Sequence, residues 1–281
     1  MKTIQSPNRM QKICMDLTKK GKTIGFVPTM GYLHEGHLSL IRVAKKKSDV
    51  LVVSIFVNPT QFGPQEDLKK YPRNLRRDKR LLKELRCDYL FYPQIRDMYT
   101  EGYETYIEVG KSTKDLEGAC RPGHFQGVTT IVAKLFSIIM PNVAVFGQKD
   151  FQQVHVLKRM VKDLNFPVKI LVAPTIREKS GLALSSRNSY LSIEERKQAL
   201  SLYKSLNLAR KLIKSGERDS KKIKDKMRKL IQKGPKARID YIAINDSETL
   251  EPLKKIRGNI VIPLAVKIGN TRLIDNIILK V

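Results

Sequence analysis

Two histidines three residues apart, His34 and His37, follow a short apolar run and a glycine-containing turn. The apolar run covers residues 24–27 and is interrupted by Pro28, and a helical pattern of apolar residues begins at Leu38. We therefore expect a strand, a tight loop and a helix start, in this order. Backbone N–H groups and the positive end of the helix dipole make a helix start an anion-binding site. The segment thus predicts a phosphate site flanked by two imidazoles.

The histidine spacing does not fit a zinc protease. That motif places histidines at positions i and i+4 of a helix, with a glutamate as general base. His34 and His37 are at i and i+3, and no third ligand stands out. The chain also contains neither GxGxxG nor GxxxxGKS/T, which excludes a dinucleotide fingerprint and a P-loop. A structural role for the two histidines remains the alternative to phosphate contact.

Two polar segments offer amide, guanidinium and imidazole groups. Asn58 and Gln61 follow a predicted buried strand. Uncharged amides there can bind a hydroxyl or a carboxylate, or Asn58 and Pro59 can simply form a turn. Arg121 and His124 lie in a glycine-rich turn before a predicted helix. These two side chains can face a ligand or cap the loop, and the sequence leaves both alternatives open.

Two further segments carry groups that suit phosphate. Lys149 and Asp150 follow an apolar strand and open a helix. Lysine is a flexible point charge for phosphate oxygens, and Asp150 can cap the helix, interact with Mg²⁺ or contact a nucleotide hydroxyl. Ser185, Ser186 and Arg187 lie in a polar loop, where hydroxyls and a guanidinium suit a phosphate chain. Helix capping alone and an ordinary loop are the structural alternatives.

The elements that must position these residues alternate between strands and helices in the first half of the chain. Near-continuous apolar strands separated by helices indicate a parallel sheet buried on both faces. Ligands of such sheets lie beyond the carboxyl ends of the strands. The predicted strands are 23–29, 50–59, 88–93, 143–149 and 168–176. The predicted helices between them are 38–47, 74–86, 127–140 and 151–164.

The second half of the chain has a different pattern. Two amphipathic helical segments, 192–216 and 219–233, precede three short strand patterns, and this order indicates an α+β domain. The predicted strands are 237–246, 258–269 and 271–279. We predict an α/β fold with a first domain at 1–175 and a smaller C-terminal α+β domain at 176–281.

Length and composition limit the class of protein. The chain has 281 residues, enough for one large domain or two ordinary ones. No apolar run approaches the about 20 residues of a membrane helix, and the N-terminus lacks the apolar core of a signal peptide. We therefore expect a cytoplasmic protein without a membrane partner. The three cysteines are far apart, without zinc-site spacing, and we expect reduced thiols.

Basic residues are in large excess. The chain has 54 Lys and Arg against 27 Asp and Glu, a formal net charge of +27. Such a charge raises nucleic-acid binding as an alternative function. The lysines are spread along the chain, however, and the densest run, 214–229, is interleaved with acidic residues like a solvated helix face. We expect no dedicated nucleic-acid partner, while the positive field attracts anionic substrates such as nucleotides.

Five segments, taken in order, resemble one known family. PTMGYLHEGH, FVNPTQF, RPGHFQG, FGQKDFQQ and LALSSRNSYLS are similar to the motifs of the pantoate–β-alanine ligase (pantothenate synthetase) family. This family belongs to the nucleotidylyltransferase superfamily with an HxGH signature. The resemblance implies a Rossmann-like parallel sheet with helices on both faces and a smaller C-terminal domain that acts as a lid. It also implies a cytoplasmic homodimer.

The resemblance further implies a reaction in two steps. The carboxylate of pantoate attacks the α-phosphate of ATP, which enters with Mg²⁺, and gives pantoyl adenylate and pyrophosphate. The amine of β-alanine then attacks the acyl carbon and gives pantothenate and AMP. A related nucleotidyltransferase with another acid acceptor remains the alternative.

The resemblance also assigns site residues. His34, His37, Lys149 and Arg187 are implied to be catalytic through the phosphates, with His37 at the position usually labelled proton donor. Gln61 and Gln153 are implied to hold pantoate, and Gln61 also to touch β-alanine. No metal-binding set of protein residues is expected. The implied ATP-binding residues are Met30, Gly31, Tyr32, Leu33, His34, Glu35, Gly36, His37, Gly147, Gln148, Lys149, Asp150, Ile176, Leu184, Ser185, Ser186 and Arg187.

One position departs from the family pattern. The family often shows Asp-Gly-Leu-Ala before the serines, whereas this chain has Ser180-Gly181-Leu182-Ala183. The differing residue, Ser180, lies in the loop that precedes Ser185, so it bears on the backbone conformation of that loop.

Overall fold

The computed structural model covers residues 1–281 and contains two units with separate cores. Unit 1 consists of Met1–Lys114, Arg121–Gln148 and Gln152–Pro174. Unit 2 consists of Asp115–Cys120, Lys149–Phe151 and Thr175–Val281. Two short segments of unit 2 therefore lie far upstream in sequence, a detail that composition and periodicity do not indicate.

Unit 1 is built on a six-stranded sheet in which every neighbouring pair is parallel. The strands are β1 (Lys2–Ile4), β2 (Ile24–Thr29), β3 (Val50–Ile55), β4 (Tyr89–Phe91), β5 (Val143–Gly147) and β6 (Lys169–Ala173). Their spatial order is β1-β4-β3-β2-β5-β6. The predicted α/β class is confirmed. Strand β1 escapes the pattern analysis because it has three residues, of which only Ile4 is buried.

Both faces of this sheet are covered. Successive strand residues point to opposite faces, and Phe26 and Val27 accordingly belong to two different core clusters. The helices of the first part of the chain are α1 (Pro7–Lys19), α2 (Glu35–Lys45), α3 (Leu75–Glu84), α4 (Ile95–Met98), α5 (Glu117–Cys120), α6 (His124–Ile139) and α7 (Phe151–Asp163). Sequence reasoning missed α1, although Ser6 accepts a hydrogen bond from the Arg9 N–H and Pro7 occupies the first turn, both ordinary start signals.

The strand order creates one switch point, between β2 and β5. From β2 the chain adds β3 and β4 on one side, and β5 then pairs with the other side of β2. The connections that leave β2 and β5 therefore diverge at their carboxyl ends. Open α/β sheets bind ligands at such a point, and the segments 30–37 and 147–148 begin there.

Unit 2 is an α+β domain, as predicted. Its later elements are α8 (Ile193–Lys214), α9 (Ser220–Ile231), β7 (Ala237–Ile242), β8 (Asn245–Asp246), β9 (Asn259–Ile268) and β10 (Thr271–Lys280). The strands pair antiparallel in the order β10-β9-β7, with β8 on β9. Helix α8 begins at a reciprocal cap, in which the Glu195 N–H donates to Ser192 Oγ and the Ser192 N–H donates to the Glu195 carboxylate.

A buried ion pair ties the segment after residue 175 to β10. The Arg177 guanidinium donates to both carboxylate oxygens of Asp275, at 2.6 and 2.8 Å, and the side chain of Asp275 is 2% exposed. The guanidinium also lies 4.7 Å from the ring centroid of Tyr203 on α8. This single arginine thus connects a loop, a strand and a helix of unit 2.

None of the helices combines the length and apolar composition that crossing a bilayer requires. All three cysteines are free. Cys14 and Cys87 are buried, and burial raises the pKa of each thiol to about 12. Both therefore stay protonated and pack as small apolar groups.

We expect Asp275→Ala to destabilise unit 2 by about 3–5 kcal/mol, because it leaves the Arg177 guanidinium partly buried without its carboxylate. The measurement is the free energy of unfolding from urea titration. Asp225→Ala, at an exposed position on α9, is the matched control and should change that free energy by less than about 0.5 kcal/mol. Equal effects in the two variants would contradict the role of the ion pair.

Candidate active site

The loop after β2 adopts a left-handed turn that requires glycine. Gly31 has φ +83° and Tyr32 has φ +50°. A Cβ on Gly31 would lie 3.0 Å from Ile55 Cγ2 and 3.2 Å from Asp78 Oδ2. The Gly31 N–H donates to Thr29 Oγ1 at 3.2 Å. The predicted strand, tight loop and helix start are therefore all present.

A buried carboxylate holds this loop from the neighbouring helix α3. Asp78 accepts hydrogen bonds from the N–H groups of Tyr32 and Leu33, each at 2.8 Å, and is 1% exposed. Burial raises the pKa of Asp78, while the two N–H groups and the charge of Arg77 oppose that increase. Arg77 donates to the carbonyl of Leu33 at 2.8 Å, and its guanidinium carbon lies 5.6 Å from the Tyr32 ring centroid.

Sequence reasoning missed Asp78 and Arg77, although one signal was present. Asp78 lies four residues before Leu82 on an amphipathic helix, and both side chains are buried. A carboxylate on the apolar side of a helix requires a partner. The partner is a backbone segment 45 residues earlier, which no local pattern identifies.

The two histidines meet at the start of α2. His34 is the N-cap residue, and its N–H donates to His37 Nδ1 at 3.3 Å. The two rings lie 4.1 Å apart with an interplanar angle of 33°. Because Nδ1 accepts a hydrogen bond, neutral His37 carries its proton on Nε2. His37 thus presents an N–H donor beside the positive end of a helix dipole.

Gln61 follows the carboxyl end of β3, and its side chain contacts the loop that leaves β2. It ends a short 3-10 helix, Pro59–Gln61. Its Nε2 lies 3.1 Å from Met30 Sδ, and its Oε1 accepts a hydrogen bond from Asn58 Nδ2 at 3.3 Å. The structure therefore brings together two of the residues that the sequence assigned to ligand binding, Met30 and Gln61.

Asn58 has a structural role. It is 1% exposed, and its Nδ2 donates to the Gly127 carbonyl at 2.9 Å. Its Oδ1 accepts from the hydroxyls of Tyr99, at 2.8 Å, and Thr60, at 3.0 Å. These contacts hold the backbone before Gln61, and they reach residues 41 and 69 positions away rather than forming only the local Asn58–Pro59 turn considered from the sequence.

Arg121 and His124 also act on the segment around Gln61. His124 Nδ1 lies 2.9 Å from the Gln61 carbonyl and must donate to it, so Nε2 is left to accept from Arg121 Nη1 at 3.0 Å. Arg121 in turn makes a bidentate pair with Glu66, with both distances 2.7 Å. Of the two alternatives that the sequence left open, loop positioning is the one these contacts support.

Gly147, the last residue of β5, borders open space on the side where a Cβ would lie. A Cβ on Gly147 would meet no atom within 4 Å. In the first turn of α7, Gln152 is 6% exposed and donates to the Ser112 carbonyl at 3.0 Å, whereas Gln153 is half-buried. Adjacent side chains on a helix point in directions about 100° apart. The contact of Gln152 with Ser112 is therefore compatible with a ligand role for Gln153.

Unit 2 supplies the remaining residues assigned from the sequence. The Lys149 carbonyl accepts from Asn276 Nδ2 at 2.9 Å, and Lys149 Nζ lies 3.5 Å from Asp150 Oδ1. The Leu184 N–H donates to the Ile176 carbonyl at 3.0 Å. The Asn276 side chain thus holds the backbone of residue 149, and the backbones of residues 176 and 184 are paired directly.

The serine loop begins another 3-10 helix, Ser186–Tyr190. Ser185 caps it, because its Oγ accepts from the Arg187 N–H at 3.2 Å. The position that departs from the family pattern, Ser180, lies in an exposed turn closed by a 2.8 Å hydrogen bond from the Gly181 N–H to the Glu178 carbonyl. Gly181 has φ +96° there. The departure therefore leaves the cap at Ser185 intact.

Comparisons with known proteins match nearly the whole chain to one family. The family model described as pantoate-beta-alanine ligase matches residues 2–278. The chain is 53% identical to the pantothenate synthetase of Moorella thermoacetica, over 100% of this chain and 99% of that protein. It is 54% identical to the pantothenate synthetase of Fervidobacterium nodosum, with 100% of both chains covered.

Solved structures give the same result. The pantothenate synthetase of Thermus thermophilus has a TM-score of 0.93 at 44% identity, with 99% of each chain covered. The pantoate-beta-alanine ligase of Francisella tularensis, complexed with beta-gamma ATP and beta-alanine, has a TM-score of 0.80 at 38% identity, with 99% of this chain and 97% of that chain covered.

We expect Gly127→Ala to destabilise unit 1 by about 1–3 kcal/mol, the usual cost of overpacking. Its Cβ would lie 2.4 Å from the Thr60 carbonyl oxygen and 2.7 Å from the Gln61 nitrogen, so the 3-10 helix must move. Gly147→Ala is the matched control and should unfold like the wild type. Thermal unfolding compares them, and a Gly127→Ala variant as stable as Gly147→Ala would contradict the expected clash.

Proposed function

The chain belongs to the pantoate–β-alanine ligase family, and we propose that it joins pantoate to β-alanine through a pantoyl adenylate formed from ATP. The main support for this proposal is the family match over residues 2–278. It is supported by the imidazole donor of His37 at the helix start beside the β2–β5 switch point. The family match favours pantoate over the alternative of another acid acceptor.

In the first step a carboxylate oxygen of pantoate forms a bond to the α-phosphorus of ATP, and the bond to the bridging oxygen of pyrophosphate breaks. In the second step the amine of β-alanine forms the amide bond, loses a proton, and AMP leaves. Negative charge increases on phosphate oxygens during the first step. Preorganised donors aimed at that charge provide the rate enhancement, and little covalent help is needed.

In unit 1 we propose that residues 30–37 and 147–148 bind ATP and that His34 and His37 contact its phosphates. The fixed tautomer supports the role of His37, because Nε2–H can donate to a phosphate oxygen. The N–H groups of Tyr32 and Leu33 are taken by Asp78, so any contact of these two residues with the nucleotide uses other atoms. The space in front of Gly147 supports close approach of a ligand to the backbone.

We propose that Gln61 and Gln153 hold pantoate and that Gln61 also touches β-alanine. An amide can bind a carboxylate or a hydroxyl without adding charge. The contacts of Asn58, His124 and Met30 with Gln61 support a preorganised position for it. A side chain already held in place loses less entropy when the ligand binds.

In unit 2 we propose that Lys149 and Arg187 bind phosphate oxygens. Ser185, Ser186, Asp150, Ile176 and Leu184 complete the nucleotide contacts in this proposal. The cap at Ser185 supports it, since the cap fixes the direction in which the backbone of residues 185–187 runs. A guanidinium offers planar, charge-assisted donors for phosphate, and an ammonium a compact charge.

We propose that Mg²⁺ enters with ATP. The chain has no cluster of three or more His, Cys, Asp or Glu side chains arranged to hold a metal ion. Mg²⁺ keeps several waters and is commonly bound through substrate phosphates and one or two carboxylates, and Asp150 offers one carboxylate. When bound, the ion neutralises charge on the phosphates. A cytoplasmic homodimer without a nucleic-acid partner is proposed from the family alone.

The direct test is AMP release. Purified protein with ATP, Mg²⁺, pantoate and β-alanine should give AMP and pantothenate, and without β-alanine it should give pyrophosphate only up to about one equivalent of bound adenylate. Omission of pantoate should abolish both products. A folded protein that releases no AMP with all substrates present would overturn the proposal.

We expect two substitutions of His37 to separate its structural and catalytic atoms. Asn places an acceptor near the position of Nδ1 and lacks a group at Nε2, so His37→Asn should keep the helix cap and lose about 10²–10³ in the rate of adenylate formation. His37→Gln keeps a donor near Nε2 and should lose less. Single-turnover pyrophosphate release measures both. Wild-type rates in folded His37→Asn would contradict the donor role.

For Gln61→Ala we expect a loss of pantoate affinity with ATP affinity nearly kept, because the amide is assigned to the acid. Equilibrium binding of each substrate by calorimetry is the measurement. Gln65→Ala, at an exposed position four residues later, is the matched control and should bind both as the wild type does. Unchanged pantoate affinity in Gln61→Ala would count against the assignment.

A further inference from the structure

We propose that Asp78, assisted by Arg77, is a positioning residue for adenylate formation: its carboxylate fixes the turn that aims His34 and His37. The inference rests on the proposed function of these histidines. Neither Asp78 nor Arg77 belongs to the five segments that identify the family.

The contacts of Asp78 are specific to the turn. Each carboxylate oxygen accepts one N–H, from Tyr32 and from Leu33, both at 2.8 Å. These two N–H groups follow Gly31, where the chain has positive φ, and Tyr32 itself has positive φ. A left-handed conformation at a non-glycine residue costs free energy and persists only where the surroundings determine it. The bidentate carboxylate is that determinant.

Arg77 contacts the same turn through the carbonyl of Leu33, whereas Asp78 contacts the N–H of that residue. Its Nη1 donates to the Leu33 carbonyl at 2.8 Å, and its guanidinium lies over the Tyr32 ring. Residues 77 and 78 of α3 thus engage both the N–H and the carbonyl of Leu33. The next residue is His34, so the two side chains set the orientation of the peptide at which the helix cap begins.

A negative charge at this place has a cost that filling space alone does not explain. A buried carboxylate is desolvated, and it repels an anionic ligand at the neighbouring helix start. A neutral side chain with one acceptor, such as an amide, would be sufficient if the residue only filled the space. Only a carboxylate offers two equivalent acceptor oxygens for two adjacent N–H groups, and the adjacent guanidinium offsets its charge.

The consequence for the reaction is geometric. The His34 N–H orients the His37 ring through Nδ1, and the His34 N–H follows directly on the clamped Leu33 peptide. A displacement of about 1 Å at a catalytic group can cost about 10²-fold in rate. Loosening the turn should therefore lower the rate of adenylate formation and largely spare the pantoate site, because Asn58 and His124 hold Gln61 from outside the turn.

The test is Asp78→Asn. Asparagine has nearly the same shape but only one acceptor oxygen, and its NH₂ group would face one of the two N–H donors. We expect kcat for AMP formation to fall about 10–100-fold, with KM for pantoate within about twofold of wild type. The variant should also have a lower melting temperature, because one buried N–H of the turn loses its acceptor.

A purely structural role would lower the melting temperature but leave the kcat of the folded fraction within about twofold of wild type, and this result would overturn the inference. Arg76→Ala, at an exposed position on the same helix, is the control and should match the wild type. If Asp78→Asn fails to fold, Arg77→Ala provides the test. A wild-type kcat in that folded variant would also overturn the inference. An inactive wild-type chain would instead refute the proposed function.

Discussion

The structure depends on one constraint: a parallel sheet buried on both faces can present polar chemistry only at its ends. Core clusters cover the two faces of the unit 1 sheet, and successive residues such as Phe26 and Val27 alternate between them. The strand order puts the switch point between β2 and β5. The loops that leave these two strands therefore carry residues that we propose to bind ATP, and a helix start after β2 supplies the positive dipole end.

The loops at these ends are held by polar side chains that satisfy backbone groups. Asp78 takes two N–H groups of the histidine loop, and His124 donates to the carbonyl of Gln61. Buried polar groups of this kind are costly unless every donor and acceptor is paired. The free-energy cost of burying them is offset by these hydrogen bonds, which hold each loop in one conformation. A site preorganised in this way stabilises charge in the transition state without rearranging first.

The fold class and most element positions follow from the sequence because they depend on local periodicity. The predicted strand 50–59 is observed as Val50–Ile55, and the predicted helix 151–164 as Phe151–Asp163. Strand ends were predicted too long where polar turn residues follow, and β1 was missed because three residues carry no period. Among the site residues, Met30 and Gln61 are in contact, while the ligand roles of the assigned residues remain proposals.

By itself the sequence determined which chemical groups are present and in what order strands, turns and helices follow. It determined a helix start with two histidines, and it identified the family through five short segments. Only the tertiary structure decided which polar side chains are used within the protein: Asn58, His124 and Asp78 all position a loop. The reason is physical. The partners of Asp78 and His124 lie 45 and 63 residues away, and a hydrogen bond across such a separation leaves no periodic trace in either segment.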